Sequence, residues 1–149
     1  MKIEFFDLLE PAGWEPVSYD RADPNFFWEG GGALADAPVD VAATFDGAVS
    51  SSTRVDTDFT MSGIRLRPGF AFPSHSHNLR QLIIVNGGEL IASEDGETRT
   101  LVPGDFWITE ANSKHSMTAG TEGAVYVVTW PVWIQLKTTW YPGAGWVES

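Results

Sequence analysis

The 149-residue chain contains no cysteine. That excludes disulfide staples, thiolate zinc ligands, iron–sulfur clusters and a cysteine nucleophile, so any metal must be held by nitrogen and oxygen atoms. Basic residues are scarce too, with nine Lys+Arg against twenty Asp+Glu and a formal net charge of −11. Such a field repels phosphate backbones and anionic bilayers, which argues against nucleic acid and membrane surfaces as partners. The imbalance is local: residues 1–58 hold three bases and twelve acids, residues 59–149 six and eight. Apolar runs such as Leu82 to Val85 and Ala124 to Trp130 fall far short of the roughly 18 residues of a membrane span. The start of the chain carries Glu4 and Asp7 and no apolar core followed by small residues, so a cytoplasmic location is expected.

A chain of this size with 43% hydrophobic residues fits one compact domain, which buries roughly 70% of the surface its unfolded form exposes. Residues 8–50 carry Pro11, Pro16, Pro24, Pro38 and the run Gly30-Gly31-Gly32, which breaks any long helix and suggests an irregular arm. Trp14, Phe26, Phe27 and Trp28 in that arm need burial, and a homodimer in which it packs on a neighbouring barrel is expected. The boundaries predicted are an arm over 1–57, a barrel core over 58–135, and a strand and tail over 136–149.

From residue 55 onward the texture is one of short β-type runs separated by turn signals, the pattern of an all-β sandwich or barrel. Strands are predicted at Phe59–Arg67, Leu79–Val85, Glu89–Ser93, Thr98–Val102, Phe106–Thr109, His115–Thr118, Val125–Ile134 and Leu136–Tyr141, with helix almost absent. Asp95-Gly96 is a hairpin signal, because a type I′ turn requires positive φ at both central positions. Pro103-Gly104-Asp105 marks a second tight turn.

The chain's three histidines are His75, His77 and His115. Alternation on an extended segment turns His75 and His77 to the same side, with Gln81 at the same parity if the strand continues. Neutral imidazole is the commonest protein metal ligand, so the pair is half of a metal site, and an antiparallel barrel could return His115 beside it. The plainer alternative is a solvated His-x-His loop and an unrelated His115.

The surrounding residues resemble the cupin superfamily. Gly69, His75-Ser-His77, Gln81 and Gly87 are similar to its first signature, and Pro103-Gly104-Asp105 through His115 to its second. The resemblance spans residues 59 to about 130 and implies an antiparallel β-barrel of the double-stranded β-helix or jelly-roll type. It also implies one divalent metal ion per chain (Mn, Fe, Zn or Ni), ligated by His75, His77 and His115. Gln81 falls where the family usually has a glutamate ligand; it is either a neutral fourth donor or a hydrogen-bond partner of the site. A glutamine leaves the ion its full +2 charge, which favours Lewis-acid lyase or isomerase chemistry. Cupins with this spacing resemble manganese hydroxynitrile lyases and some sugar-processing isomerases, whereas dioxygenases more often keep glutamate.

Within such a barrel, Trp107, Tyr126, Trp130 and Trp133 are candidate substrate-pocket residues, since aromatics fill and line apolar cavities. Arg65 and Glu110 join Gln81 as candidate catalytic residues, the alternative for Arg65 being a solvated outer face of Ile64-Arg65-Leu66-Arg67. The expected function is that of a metal-dependent enzyme acting on a small, hydrophobic or aromatic organic molecule. An iron dioxygenase and a non-enzymatic ligand-binding module are the alternatives.

Overall fold

The fold is described from a computed structural model over residues 15–16, 41, 43–45, 47–55 and 57–141. The aromatics Trp14, Phe26, Phe27 and Trp28 lie outside the described residues. Nine strands are found among the described residues: β1 (Glu15–Pro16), β2 (Val49–Val55), β3 (Phe59–Leu66), β4 (Ala71–His77), β5 (Gln81–Glu94), β6 (Glu97–Leu101), β7 (Phe106–Thr109), β8 (His115–Pro131) and β9 (Thr138–Trp140). Every pairing is antiparallel. The order along the sheet is β1-β2-β3-β8-β4-β9, and β5 joins β8 while carrying β6 and β7 on its other edge. The all-β fold expected from the sequence is present as a sheet curled on itself. No helix among the described residues is long and apolar enough to cross a membrane.

The two longest strands form the spine. β5 pairs with β7 through Gln81–Ile84 and with β6 through Leu90–Glu94, while β8 runs beside it along nearly its whole length. The register between β5 and β8 shifts between Val85 and Gly87 and again between Gly88 and Leu90. Bulges of this kind bend a strand and sharpen its twist, which lets one strand serve both halves of a barrel. Gly88 sits at φ +64, where a Cβ would strike the carbonyl oxygen of Gly123, itself at φ +82. The bend thus needs bare backbone on both strands.

This explains where the sequence-based boundaries differ. Leu79–Val85 and Glu89–Ser93 are one strand, because Asn86-Gly87-Gly88 forms a bulge and not a turn. His115–Thr118 and Val125–Ile134 likewise merge into β8, which ends at Pro131. Leu136–Tyr141 shortens to Thr138–Trp140. Val49–Val55, assigned to the arm, pairs along its full length with β3, so that part of the arm belongs to the sheet. The two turns are where the sequence puts them. Asp95 and Gly96 both have positive φ (51 and 80), and the Asp105 carboxylate accepts a hydrogen bond from the Val102 N–H at 3.0 Å.

Alternation sets the core. Ile64 and Leu66 on β3, Ile83 and Val85 on β5, and Tyr126 and Val128 on β8 are buried together. At one end Phe45 meets Phe70, Phe72 and Trp140 edge-on, with centroids 5.6, 5.0 and 6.0 Å away. Burying such rings contributes about 1.5–3 kcal/mol each. Gly88→Ala is expected to cost more than about 2 kcal/mol, through strained φ and the clash with Gly123. Urea unfolding measures it, and a cost below about 0.5 kcal/mol would show that the bend does not depend on bare backbone.

Candidate metal centre

β4 presents His75 and His77 on one face, and the register sets His75 directly opposite His115 at the start of β8. On the other side of β4, β9 places Trp140 opposite His75 and Thr138 opposite His77. The three imidazoles converge, with centroid separations of 4.8 Å (His75–His77), 4.3 Å (His75–His115) and 5.5 Å (His77–His115). All three are buried, and one ring nitrogen from each lies within 4.8 Å of the others. Phe72 and Trp140 flank His75 at 5.0 and 5.2 Å, and Trp107 stands edge-on to His115 at 5.4 Å.

Hydrogen bonds decide which nitrogen is available. His75 Nδ1 is 2.6 Å from the Pro73 carbonyl oxygen and His115 Nδ1 is 3.0 Å from that of Ser113. A carbonyl only accepts, so in both rings Nδ1 carries the proton and Nε2 the lone pair. His77 Nδ1 lies 3.0 Å from the Thr138 hydroxyl, which can accept in the same way. His115 Nε2 is buried with no hydrogen-bond partner. Leaving a buried polar atom unpaired costs about 1–3 kcal/mol, and a bound cation is the natural acceptor of that lone pair. Three neutral Nε2 donors therefore fit the divalent ion that the family resemblance implies.

Electrostatics keep these rings neutral. Burial, then the neighbouring His115 and His77, hold His75 well below the usual imidazole value. Burial, with His115 beside it, lowers His77 to about 3. His115 is lowered chiefly by burial, partly offset by its bond to Ser113 and by the charge of Glu94. At neutral pH no proton competes for the lone pairs.

The other residues singled out from the sequence separate into three groups. Gln81 opens β5 buried, opposite Thr109 and two residues before Ile83, which opposes Trp107. It therefore shares the inner face with Trp107. Of the four aromatics singled out from the sequence, Trp107 is the one placed against a histidine, and it also walls a hollow of ≈ 360 Å³ together with Ala92, Glu94, Arg99, Leu101 and Glu110. Tyr126 faces inward but is packed in the core opposite Ile64 and Val85. Trp130 is buried beside Gln81 at a second hollow of ≈ 380 Å³. The remaining three are corrected. Trp133 is 70% exposed and lines nothing inside the barrel. Arg65 alternates with the buried Ile64 and Leu66 and so lies on the outer face. Glu110 is on the rim, where its exposed carboxylate pairs with Arg80 at 3.1 Å.

Thr138, Trp140, Thr109 and Glu94 escaped the sequence reading. Thr138 and Trp140 belong to a short strand beyond the motif-bearing region, and only its pairing with β4 brings them to the site. Glu94 precedes the Asp95-Gly96 turn, but its place opposite His115 depends on the β5–β8 register.

Two outcomes follow. Thr138→Val removes the only side chain among the described residues that is hydrogen-bonded to one of these histidines, and should weaken zinc affinity about ten-fold in a chelator competition assay. Unchanged affinity would mean that His77 needs no orienting partner. In the metal-free protein the buried histidines resist protonation, whereas the unfolded chain takes up protons near pH 6.5. Stability is therefore full above about pH 6.5 and falls as the pH drops toward 3, His77 contributing over that whole window. Melting temperatures at pH 7 and pH 5 should differ in that direction, and His77→Gln should flatten the slope; a flat wild-type profile would contradict the burial of neutral rings.

A family model described as a cupin domain matches residues 64–131. No curated protein matches the sequence. Among solved structures, a cupin-like protein from Thermotoga maritima superposes with a TM-score of 0.56 at 22% identity, covering 62% of this chain and 75% of that one. KdgF from Halomonas sp. does so with 0.54 at 19%, covering 58% and 80%. The DMSP lyase DddQ from Ruegeria pomeroyi gives 0.54 at 18%, covering 60% of this chain and 46% of its own. At these identities the structures speak for the fold alone. The family match and the curled antiparallel sheet together identify residues 64–131, which carry both motif regions, as a cupin domain.

Proposed function

We propose that this cupin is a metal-dependent enzyme that acts on a small, largely apolar organic substrate by lyase- or isomerase-type chemistry. One divalent ion is held by Nε2 of His75, His77 and His115, with Gln81 as a neutral fourth donor. The observation that supports this best is the buried triad, in which Nδ1 of His75 and His115 is committed to carbonyls and Nε2 of His115 is left without a partner. When bound, the ion supplies Lewis acidity toward a carbonyl or hydroxyl oxygen.

The chain's own residues do the rest. Burial keeps the imidazoles neutral and excludes water, so charge developing on a substrate oxygen is opposed by fixed dipoles and not by bulk solvent. Trp107, with Ala92 and Leu101 in the adjoining hollow, offers an apolar wall against which a small substrate can be oriented. With an amide at position 81 no ligand anion offsets the +2 charge, which favours polarising an oxygen over reaching higher oxidation states. A lyase and a cyclase among structural neighbours, DddQ and the polyketide cyclase RemF from Streptomyces resistomycificus, are compatible with redox-neutral chemistry.

The test is a substrate-class screen on manganese-, iron- and zinc-reconstituted protein, in air and under nitrogen. Turnover is expected to be equal in both atmospheres and to vanish, with metal occupancy, in the His77→Ala/His115→Ala double variant. Stoichiometric oxygen uptake confined to the iron form would replace this reading by a dioxygenase. Tight binding of a ligand without turnover by any metal form would replace it by a binding module.

A further inference from the structure

We propose that Glu94 is a positioning residue of this metal centre: a half-buried carboxylate that holds Trp107 against His115 and supplies the negative charge that three imidazoles and the Gln81 amide lack. The inference rests on the metal-binding reading above. It concerns a residue of neither motif, at the far end of β5 from Gln81.

The placement follows from register. Glu94 is the last residue of β5 and lies opposite His115, two residues after Ala92, which lies opposite the buried Met117. Directly opposed residues of an antiparallel pair project to the same side, so the Glu94 side chain stands on the face that carries His115. Both carboxylate oxygens are engaged. Oε2 accepts from the Trp107 indole N–H at 2.8 Å and Oε1 from the Glu110 backbone N–H at 3.2 Å. The first bond fixes the ring that stands edge-on to His115 at 5.4 Å. The second ties the end of β5 to the residue that follows β7. Glu94 is not one of the clustered ligand groups, and reaching the cluster would cost it both hydrogen bonds.

Its charge is left for the site. Arg99 pairs with Glu97 at 3.6 Å and Arg80 with Glu110 at 3.1 Å, and among the described residues no ion pair neutralises Glu94. A carboxylate held beside a cluster of neutral imidazoles favours a cation there, most strongly where water is excluded. Because it acts without coordinating, it raises affinity while leaving the ligand set neutral and a coordination position open. Holding Trp107 gives the same residue a second effect, on the wall that a substrate meets.

Two variants of the full chain separate the effects. E94Q keeps the shape and one acceptor oxygen but loses the charge; E94D keeps the charge but loses reach. Cobalt(II) affinity, read by chelator competition, should fall about ten-fold or more in E94Q and stay within about three-fold in E94D. The indole N–H resonance of Trp107, assigned with W107F, should move in both. A third readout needs no folded variant of low stability: in the wild type the Glu94 carboxylate carbon resonance should shift when zinc is added. Wild-type affinity in E94Q, equal losses in E94Q and E94D, or a carboxylate resonance indifferent to zinc would each overturn the proposal. Failure of the wild type itself to bind cobalt or zinc would instead remove the metal-binding reading on which it rests.

Discussion

Desolvation of three imidazoles at one point is the constraint on which the rest of this structure turns. A histidine taken out of water must be neutral or paired with an anion, and among the described residues none of the three has a carboxylate hydrogen-bonded to it. The Nδ1 protons of His75 and His115 are donated to the Pro73 and Ser113 carbonyls, and Nδ1 of His77 lies against the Thr138 hydroxyl. What remains is one ring nitrogen from each histidine, the three within 4.8 Å of one another, with Nε2 of His115 buried and without a partner. That arrangement is costly for a barrel with nothing to bind and favourable for one that takes a cation. The same burial that costs folding free energy makes the metal site available at neutral pH.

The curl of the sheet produces that convergence. His75 and His77 come together by simple alternation, but His115 is 38 positions further on than His77 in the sequence. It arrives because β5 and β8 are long enough to bend and be shared between both halves of the barrel. The bend in turn depends on two glycine backbones passing where side chains would collide. A change at Gly88, remote in sequence from every histidine, is thus linked to the geometry of the metal centre through the β5–β8 register. The edge strand β9 closes the site from the other side, adding the Thr138 hydroxyl and the Trp140 ring.

How far the sequence could be read follows from which interactions are local. The His-x-His parity, the Asp95-Gly96 hairpin and the Pro103-Gly104-Asp105 turn are short-range properties and appear as expected. The continuity of β5 and β8 was not legible, because Asn86-Gly87-Gly88 and Gly120 to Gly123 look like turns in one dimension and act as bulges in three. Val49–Val55 was missed since its serines show no apolar alternation; its pairing with β3 is set by tertiary context. Arg65 and Trp133 are misjudged for different reasons: a cation on a barrel strand has two faces to choose from, and Arg65 takes the outer one, whereas Trp133 lies in the turn beyond the end of β8, where alternation does not apply. Glu94 and Thr138 went unnoticed for the complementary reason: each is an ordinary surface-type residue until a partner strand is placed against it.

The site's chemistry follows from its charge. With three neutral imidazoles, polar support from a hydroxyl and two carbonyls, and the Glu94 carboxylate on the face that carries His115, the function we propose is that of a barrel that holds a dication and leaves its Lewis acidity for a substrate. X-ray absorption on the zinc-loaded wild-type protein addresses that account most directly, since the scattering from imidazole rings counts histidine ligands. The account predicts one zinc per chain with three imidazole nitrogens at about 2.0–2.1 Å and light oxygen or nitrogen donors completing the shell. A spectrum with fewer than three imidazoles, or with carboxylate oxygens only, would contradict it.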